Sequence, residues 1–189
     1  TVASGRKWEA GIQRAIVALL CSPKFLFRVE LDSQPDSPVI QPLDEFQLAA
    51  RLSYFLWNTL PDDELFDLAR QHELAANIDA QVARMLKDPR AITLVDNFAM
   101  QWLQLRNLRL SSPDLKQFPD YNDALRTAME TETRLFLEAV LREDRSLLEL
   151  LDANFTFLNE RLAKHYGISG VQGEEFQRVT LTNPERGGL

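Results

Sequence analysis

Cysteine is nearly missing from this chain of 189 residues: Cys21 is the only one. One thiol excludes an internal disulfide, a Cys-x-x-Cys pair, covalent attachment of c-type haem within the segment, and cysteine-based zinc or iron–sulfur sites. No His or cationic residue adjoins Cys21, so a buried bystander thiol is expected. Histidine is equally scarce. His72 and His165 lie far apart, and there is no His-Glu-x-x-His, nucleophile elbow, P-loop or dinucleotide fingerprint. Glycine and proline number only 7 and 9, which excludes collagen-like and low-complexity chains. A basic excess is also missing. With 21 basic and 28 acidic residues the formal net charge is −7, against the clustered Lys and Arg that a phosphate backbone needs, so no nucleic-acid partner is expected. The longest apolar run, Ala15 to Cys21, falls far short of the roughly 20 residues that span a bilayer. No membrane span, metal or cofactor is expected in the segment. The chain opens at Thr1 rather than Met, and the expectation is a piece of a longer polypeptide with any export signal upstream.

What is present is helical pattern. Hydrophobic residues make up 45% and charged residues 26%, ordinary values for a soluble globular domain. Apolar residues recur with a period near 3.6 almost throughout. The first helix is expected from Lys7 to Cys21, with Trp8, Ile12, Ala15, Ile16 and Leu19 on one face, and Pro23 opens a short second one. Asp44 and Gln47 have capping-box spacing ahead of a helix over Phe46 to Trp57, apolar on nearly every side and so expected to be largely buried. Asn58 to Pro61 breaks it, and the acids Asp62, Asp63 and Glu64 begin the next. A short helix runs to Lys87. Asp88-Pro89 then opens a helix expected to reach Leu105, with Phe98 and Trp102 inward. The longest helix is expected from Tyr121 to Arg142, and a short one from Asn159 to Tyr166 stops at Gly167. The fold class is all-α: an irregular multi-helix bundle of about seven to nine helices, with a minor extended segment near the C-terminus at Phe176–Leu181.

Several stretches read together are distinctive. They are Ser22-Pro23-Lys24-Phe25-Leu26-Phe27-Arg28, Arg51-Leu52-Ser53-Tyr54-Phe55-Leu56-Trp57 with Leu60-Pro61-Asp62-Asp63-Glu64-Leu65, and Asp88-Pro89-Arg90-Ala91. Further on stand Phe98 to Leu103, Leu141 to Ser146, and Asn154 to Leu162 with His165-Tyr166-Gly167. The set resembles large exported proteins of planctomycete type, in which uncharacterised helical domains accompany cytochrome c-like domains. The resemblance implies that residues 1–31 end a preceding helical domain, 42–167 form the main helical domain, and 168–189 form an extended tail that opens the next domain at Arg186-Gly187-Gly188-Leu189. Residues 32–41, rich in proline and polar side chains, read as a linker. It also implies a periplasmic or otherwise exported location, partners among neighbouring domains of the same polypeptide, and c-type haem in those domains rather than here.

Candidate chemistry is thin. On a helical wheel Glu132 falls among Leu125, Met129, Phe136 and Ala139, whereas Glu130, Arg134, Glu138 and Arg142 form an i,i+4 ladder on the opposite, solvated face. A carboxylate on an apolar stripe must be paired, hydrogen-bonded or protonated. The expectation is a structural carboxylate with Arg51 as the leading partner; the sharper alternative is a site residue. His165 shares a face with Leu158 and Leu162 and reads as a core or helix-end histidine, with ligation as the alternative. Tyr54, Phe55, Trp57, Phe98 and Trp102 read as core, with a sugar-binding cleft as the alternative. The expected role is a non-catalytic structural or interaction module. The alternatives are part of an enzyme acting on carbohydrate, with Glu132 and His165 near the site and Arg51 beside them, and an electron-transfer accessory that docks a haem domain.

Overall fold

Capping side chains open four of the nine α-helices among the described residues. The computed structural model describes residues 8–27, 36–183 and 186–189; the expected Lys7 start, Arg28, and residues 32–35 of the linker lie outside them. Helix α1 (Trp8–Leu20) is followed by α2 (Pro23–Leu26), begun by proline at its first position. Asp44 accepts from the N–H groups of Phe46 and Gln47, and the Gln47 side chain accepts from the Asp44 N–H, a complete capping box opening α3 (Glu45–Trp57). Asp62 caps α4 (Asp63–Gln71). Helix α5 (Ile78–Lys87) follows without a side-chain cap. Beyond a short α6 (Met100–Trp102), Asn122 caps the 20-residue α7 (Asp123–Arg142). Then come α8 (Glu149–Asp152), strand β1 (Phe155–Leu158), α9 (Glu160–Tyr166) and strand β2 (Gln177–Thr180). The all-α expectation holds, with nine α-helices among the described residues. The expected extended segment is β2. Its partner, unforeseen, is β1, antiparallel with Phe155 opposite Thr180 and Leu158 opposite Gln177. Among the described residues no helix is long and apolar enough to cross a membrane.

The helix expected from Pro89 to Leu105 is broken. A 3₁₀ turn at Pro89–Ala91 leads to a π-helical stretch, Leu94–Ala99, before α6, and a second 3₁₀ stretch, Leu105–Leu110, follows. A π turn inserts a residue and swings the register by about 100°. Val95 and Ala99 turn inward, while Phe98 and Trp102, expected in the core, stand 54% and 60% exposed. Phe55 of α3 is exposed beside them, its ring 6.2 Å from that of Phe98. Helix α3 is therefore buried only along Ala49, Ser53, Leu56 and Trp57. Helix α1 buries none of its residues, and Cys21, expected to be buried, is exposed.

The core forms around two groups of helices, and α7 joins them. Ala49, Leu56, Trp57, Leu65, Ala69, Leu74 and Met85 pack α3, α4 and α5 together. The indole of Trp57 donates to the Met85 carbonyl at 2.9 Å, and the Arg90 guanidinium lies 3.6 Å over its ring. Leu125 and Ala128 of α7 pack on Leu158, Leu162 and Ala163, while Phe136, Ala139 and Val140 pack on Ala153 and Phe155. Leu137 meets Val95 and Ala99.

The charged ladder of α7 is not a solvated face. It looks onto the end of α5 and onto the π-helical and 3₁₀ stretches that follow. Glu130 is buried, Arg134 binds Asp96 at 2.7 Å, and Arg142 reaches the end of α5. Its guanidinium donates to the carbonyls of Leu86 (3.3 Å), Lys87 (3.4 Å), Asp88 (2.7 Å) and Pro89 (3.2 Å). Leu86 and Lys87 are in the last turn of α5, whose carbonyls a helix end leaves without intrahelical partners, and Asp88 and Pro89 follow it directly.

Trp57→Ala is expected to lower stability by about 3–5 kcal/mol, because it deletes a buried ring and its hydrogen bond. Trp102→Ala should cost no more than about 1.5 kcal/mol, the scale of a single aromatic pair. Urea midpoints of the two variants check the contrast.

Candidate functional site

Glu132 is the point where α7, β1 and α9 meet. Alternation along β1 places Thr156 on the same face as Leu158, toward α7. Asn159 caps α9 directly after the strand, and Gly167, at φ 70°, ends it, which puts Tyr166 in the last turn. The Thr156 hydroxyl donates to one oxygen of Glu132 at 2.6 Å and the Tyr166 hydroxyl to the other at 2.7 Å. Above Tyr166 lies the Arg186 guanidinium, 3.5 Å from the ring centroid. The segment carrying it is tied down by two backbone bonds, Gly188 N–H to the Ala153 carbonyl and Leu189 N–H to the Leu150 carbonyl. Gly188 has φ 74°, and a Cβ there would come within 2.5–2.6 Å of the Leu150–Leu151 backbone, so only glycine fits. These groups enclose a cavity of about 360 Å³ with Thr133, Phe136 and Leu181.

The electrostatics follow from burial. Tyr166 is pushed well above the usual phenol range, first by burial and then by its hydrogen bond to the Glu132 carboxylate, with Arg186 opposing. It stays a neutral donor at physiological pH. Glu132 is a half-buried acceptor with one hydroxyl on each oxygen. That arrangement ties three elements to one carboxylate and leaves the cavity polar on one wall.

The other expected site residues lie elsewhere. His165 is exposed rather than on the core face, and it lines two different cavities beside Pro119 and Asp120. Arg51 is exposed on α3 and is not the partner of Glu132, whose donors are neutral hydroxyls. The structure thus does not bring Glu132, His165 and Arg51 into one cavity. The sequence pattern does not single out Thr156, Tyr166 and Arg186 as site residues. The Phe-Thr-Phe-Leu alternation was a usable strand signal for Thr156, whereas nothing local links Arg186 to Tyr166. Among the described residues no three His, Cys, Asp or Glu side chains gather as a metal-ligand set.

Residues 43–168, about two thirds of the chain, match the family PSD4, described as "Protein of unknown function (DUF1592)". The chain belongs to this family. No curated protein and no solved structure matches it. The DUF1592 match runs from α3 through α9, so it includes Glu132, Thr156 and Tyr166, while Arg186 and β2 lie beyond it.

Glu132→Ala strands the Thr156 and Tyr166 hydroxyls and should cost about 1–3 kcal/mol; Glu132→Gln, which keeps one acceptor oxygen, should cost less, as read from urea midpoints. Tyr166 also predicts an alkaline limit. Its folded pKa is raised, so its contribution is whole below the unfolded value near 10 and is lost as pH rises above it. Between pH 9 and 11 the parent should lose stability more steeply than Tyr166→Phe, measured by thermal melts across that range.

Proposed function

We propose that this DUF1592 domain is a non-catalytic interaction module of a larger exported polypeptide that carries c-type haem in other domains. The observation that carries the reading is the open aromatic array of Phe55, Phe98 and Trp102. The Phe98 and Trp102 rings lie nearly parallel, 10° apart at 6.2 Å, and both are more than half exposed. Exposed apolar surface of this kind marks docking surface. Two further open faces support it. Leu147, Leu148 and Leu151 around α8 are 75%, 70% and 77% exposed, and the apolar face of α1 buries nothing. A preceding domain of the same polypeptide would cover α1. The haem and the export rest on the resemblance to planctomycete-type proteins. The second reading, part of an enzyme acting on carbohydrate, draws on the same exposed rings, which are also suited to stacking on a sugar.

The test uses the double variant Phe98→Ser/Trp102→Ser. Its melting temperature should stay within a few degrees of the parent. Its association with the separately produced remainder of the polypeptide should weaken at least tenfold by calorimetry. Unchanged association sinks the docking reading. Loss of binding to soluble oligosaccharides, with domain association intact, favours the carbohydrate reading.

A further inference from the structure

A cavity on the other side of α7 from Glu132 has a distinct charge. It lies between α7, the π-helical stretch and the 3₁₀ stretch Leu105–Leu110, and its volume is about 550 Å³. Three guanidinium groups line it, those of Arg106, Arg109 and Arg134, against two carboxylates, Asp96 and Glu130. Of the cavities that this domain presents at Glu132, at His165 and here, this one alone has a positive balance among its lining residues, in a chain whose formal net charge is −7. The spacing explains the convergence. Arg106 and Arg109 stand at i and i+3 on a 3₁₀ stretch, where side chains eclipse. Glu130 and Arg134 stand at i and i+4 on α7.

The two acids do not consume the available donors. Arg109 binds Glu130 through Nε (3.3 Å) and one Nη (3.1 Å). Arg134 binds Asp96 through Nε at 2.7 Å, and its Nη1 stands 3.8 Å from Glu138, beyond hydrogen-bond range. The Arg106 side chain makes no hydrogen bond or ion pair among the described residues. Each carboxylate therefore holds one guanidinium in place while part of that guanidinium's donor edge stays free, and Arg106 adds a whole unpaired fork. A planar fork with several N–H donors is the group that matches an oxyanion. The volume is that of a small-molecule site.

We infer that this cavity binds the oxyanion of a small molecule, a carboxylate, sulfate or phosphate group, with Arg106 as the principal ligand and Arg109 and Arg134 as oriented supporting donors. The inference stands apart from the docking reading, which concerns the opposite chemistry of exposed aromatic rings.

The probes are sodium sulfate, sodium phosphate and sodium glucuronate, each compared with sodium chloride at matched ionic strength. Arg106→Gln removes the unpaired fork without breaking an internal bond, so it folds. Arg161→Gln removes one equally unpaired charge from the His165 cavity and controls for net charge. At least one of the oxyanions should raise the melting temperature of the parent above the chloride control at millimolar concentration. Its dissociation constant should rise at least tenfold in Arg106→Gln and stay within twofold in Arg161→Gln. Which oxyanion binds most tightly identifies the source. Stabilisation equal to chloride for all three, or equal loss in both variants, overturns the inference; an acidic partner protein would give the first of these results.

Discussion

Helix α7 is the constraint on which the rest of the structure depends. At 1.5 Å per residue its 20 residues reach about 30 Å, the width of a small domain. Neither group of elements beside it has many buried side chains of its own. The first centres on Trp57 and Met85, the second on Leu158, Leu162 and Phe155. Small clusters of this kind bury too little surface to stand alone. Helix α7 gives each a wall. Its apolar face, Leu125 through Val140, closes the second group. Its charged face meets the first through Arg142 on the carbonyls of Leu86 to Pro89, and meets the π-helical stretch through Arg134 on Asp96. The helix is two-sided because both of its faces have work in packing.

That geometry also explains where chemistry can reside. Glu132 sits where the apolar face meets the strand, and it is satisfied by two neutral hydroxyls rather than by a cation. The negative charge so held is a reason for Arg186 to lie over Tyr166 rather than extend into solvent. Glu130, two residues back and so about 200° round the helix on the opposite face, is instead met by Arg109. Two acids two residues apart therefore serve two different sides of one helix, and the cavities beside them differ in charge.

Much of this was legible in the sequence because caps and period are local. Asp44 with Gln47, and Gly167, mark helix ends by side-chain and backbone rules that need no tertiary context, while Asp62, expected in a first turn, is the cap itself, and the helix expected from Tyr121 starts behind Asn122. Trp57 and Glu132 were placed on inward faces by period alone. What failed depended on neighbours. The π-helical stretch Leu94–Ala99 shifts register within one element, and no composition signal announces it, so an unbroken helical period puts Phe98 and Trp102 inward where the structure exposes them. The ladder Glu130, Arg134, Glu138 and Arg142 reads as solvated by pattern, because a charged stripe buried against carbonyls and acids looks the same as one in water. Strand β1 is only four residues long and needs β2, about 20 residues on, to exist. Arg51 was a reasonable partner for Glu132 by charge, but hydroxyl donors 24 and 34 positions away reached it instead.

The central claim is that α7 makes the two groups one cooperative unit, leaving the open aromatic and leucine faces as surface rather than as core. Native-state hydrogen exchange tests it most directly, because opening free energies report which elements unfold together. The amide of Trp57 in α3 and that of Ala163 in α9 belong to different groups. Equal opening free energies for the two, falling together when Arg142 is replaced by Met, are the expected result. If the Ala163 amide opens at much lower free energy while Trp57 keeps its full protection, and Arg142→Met moves only one of them, the two groups are independent and the account is wrong.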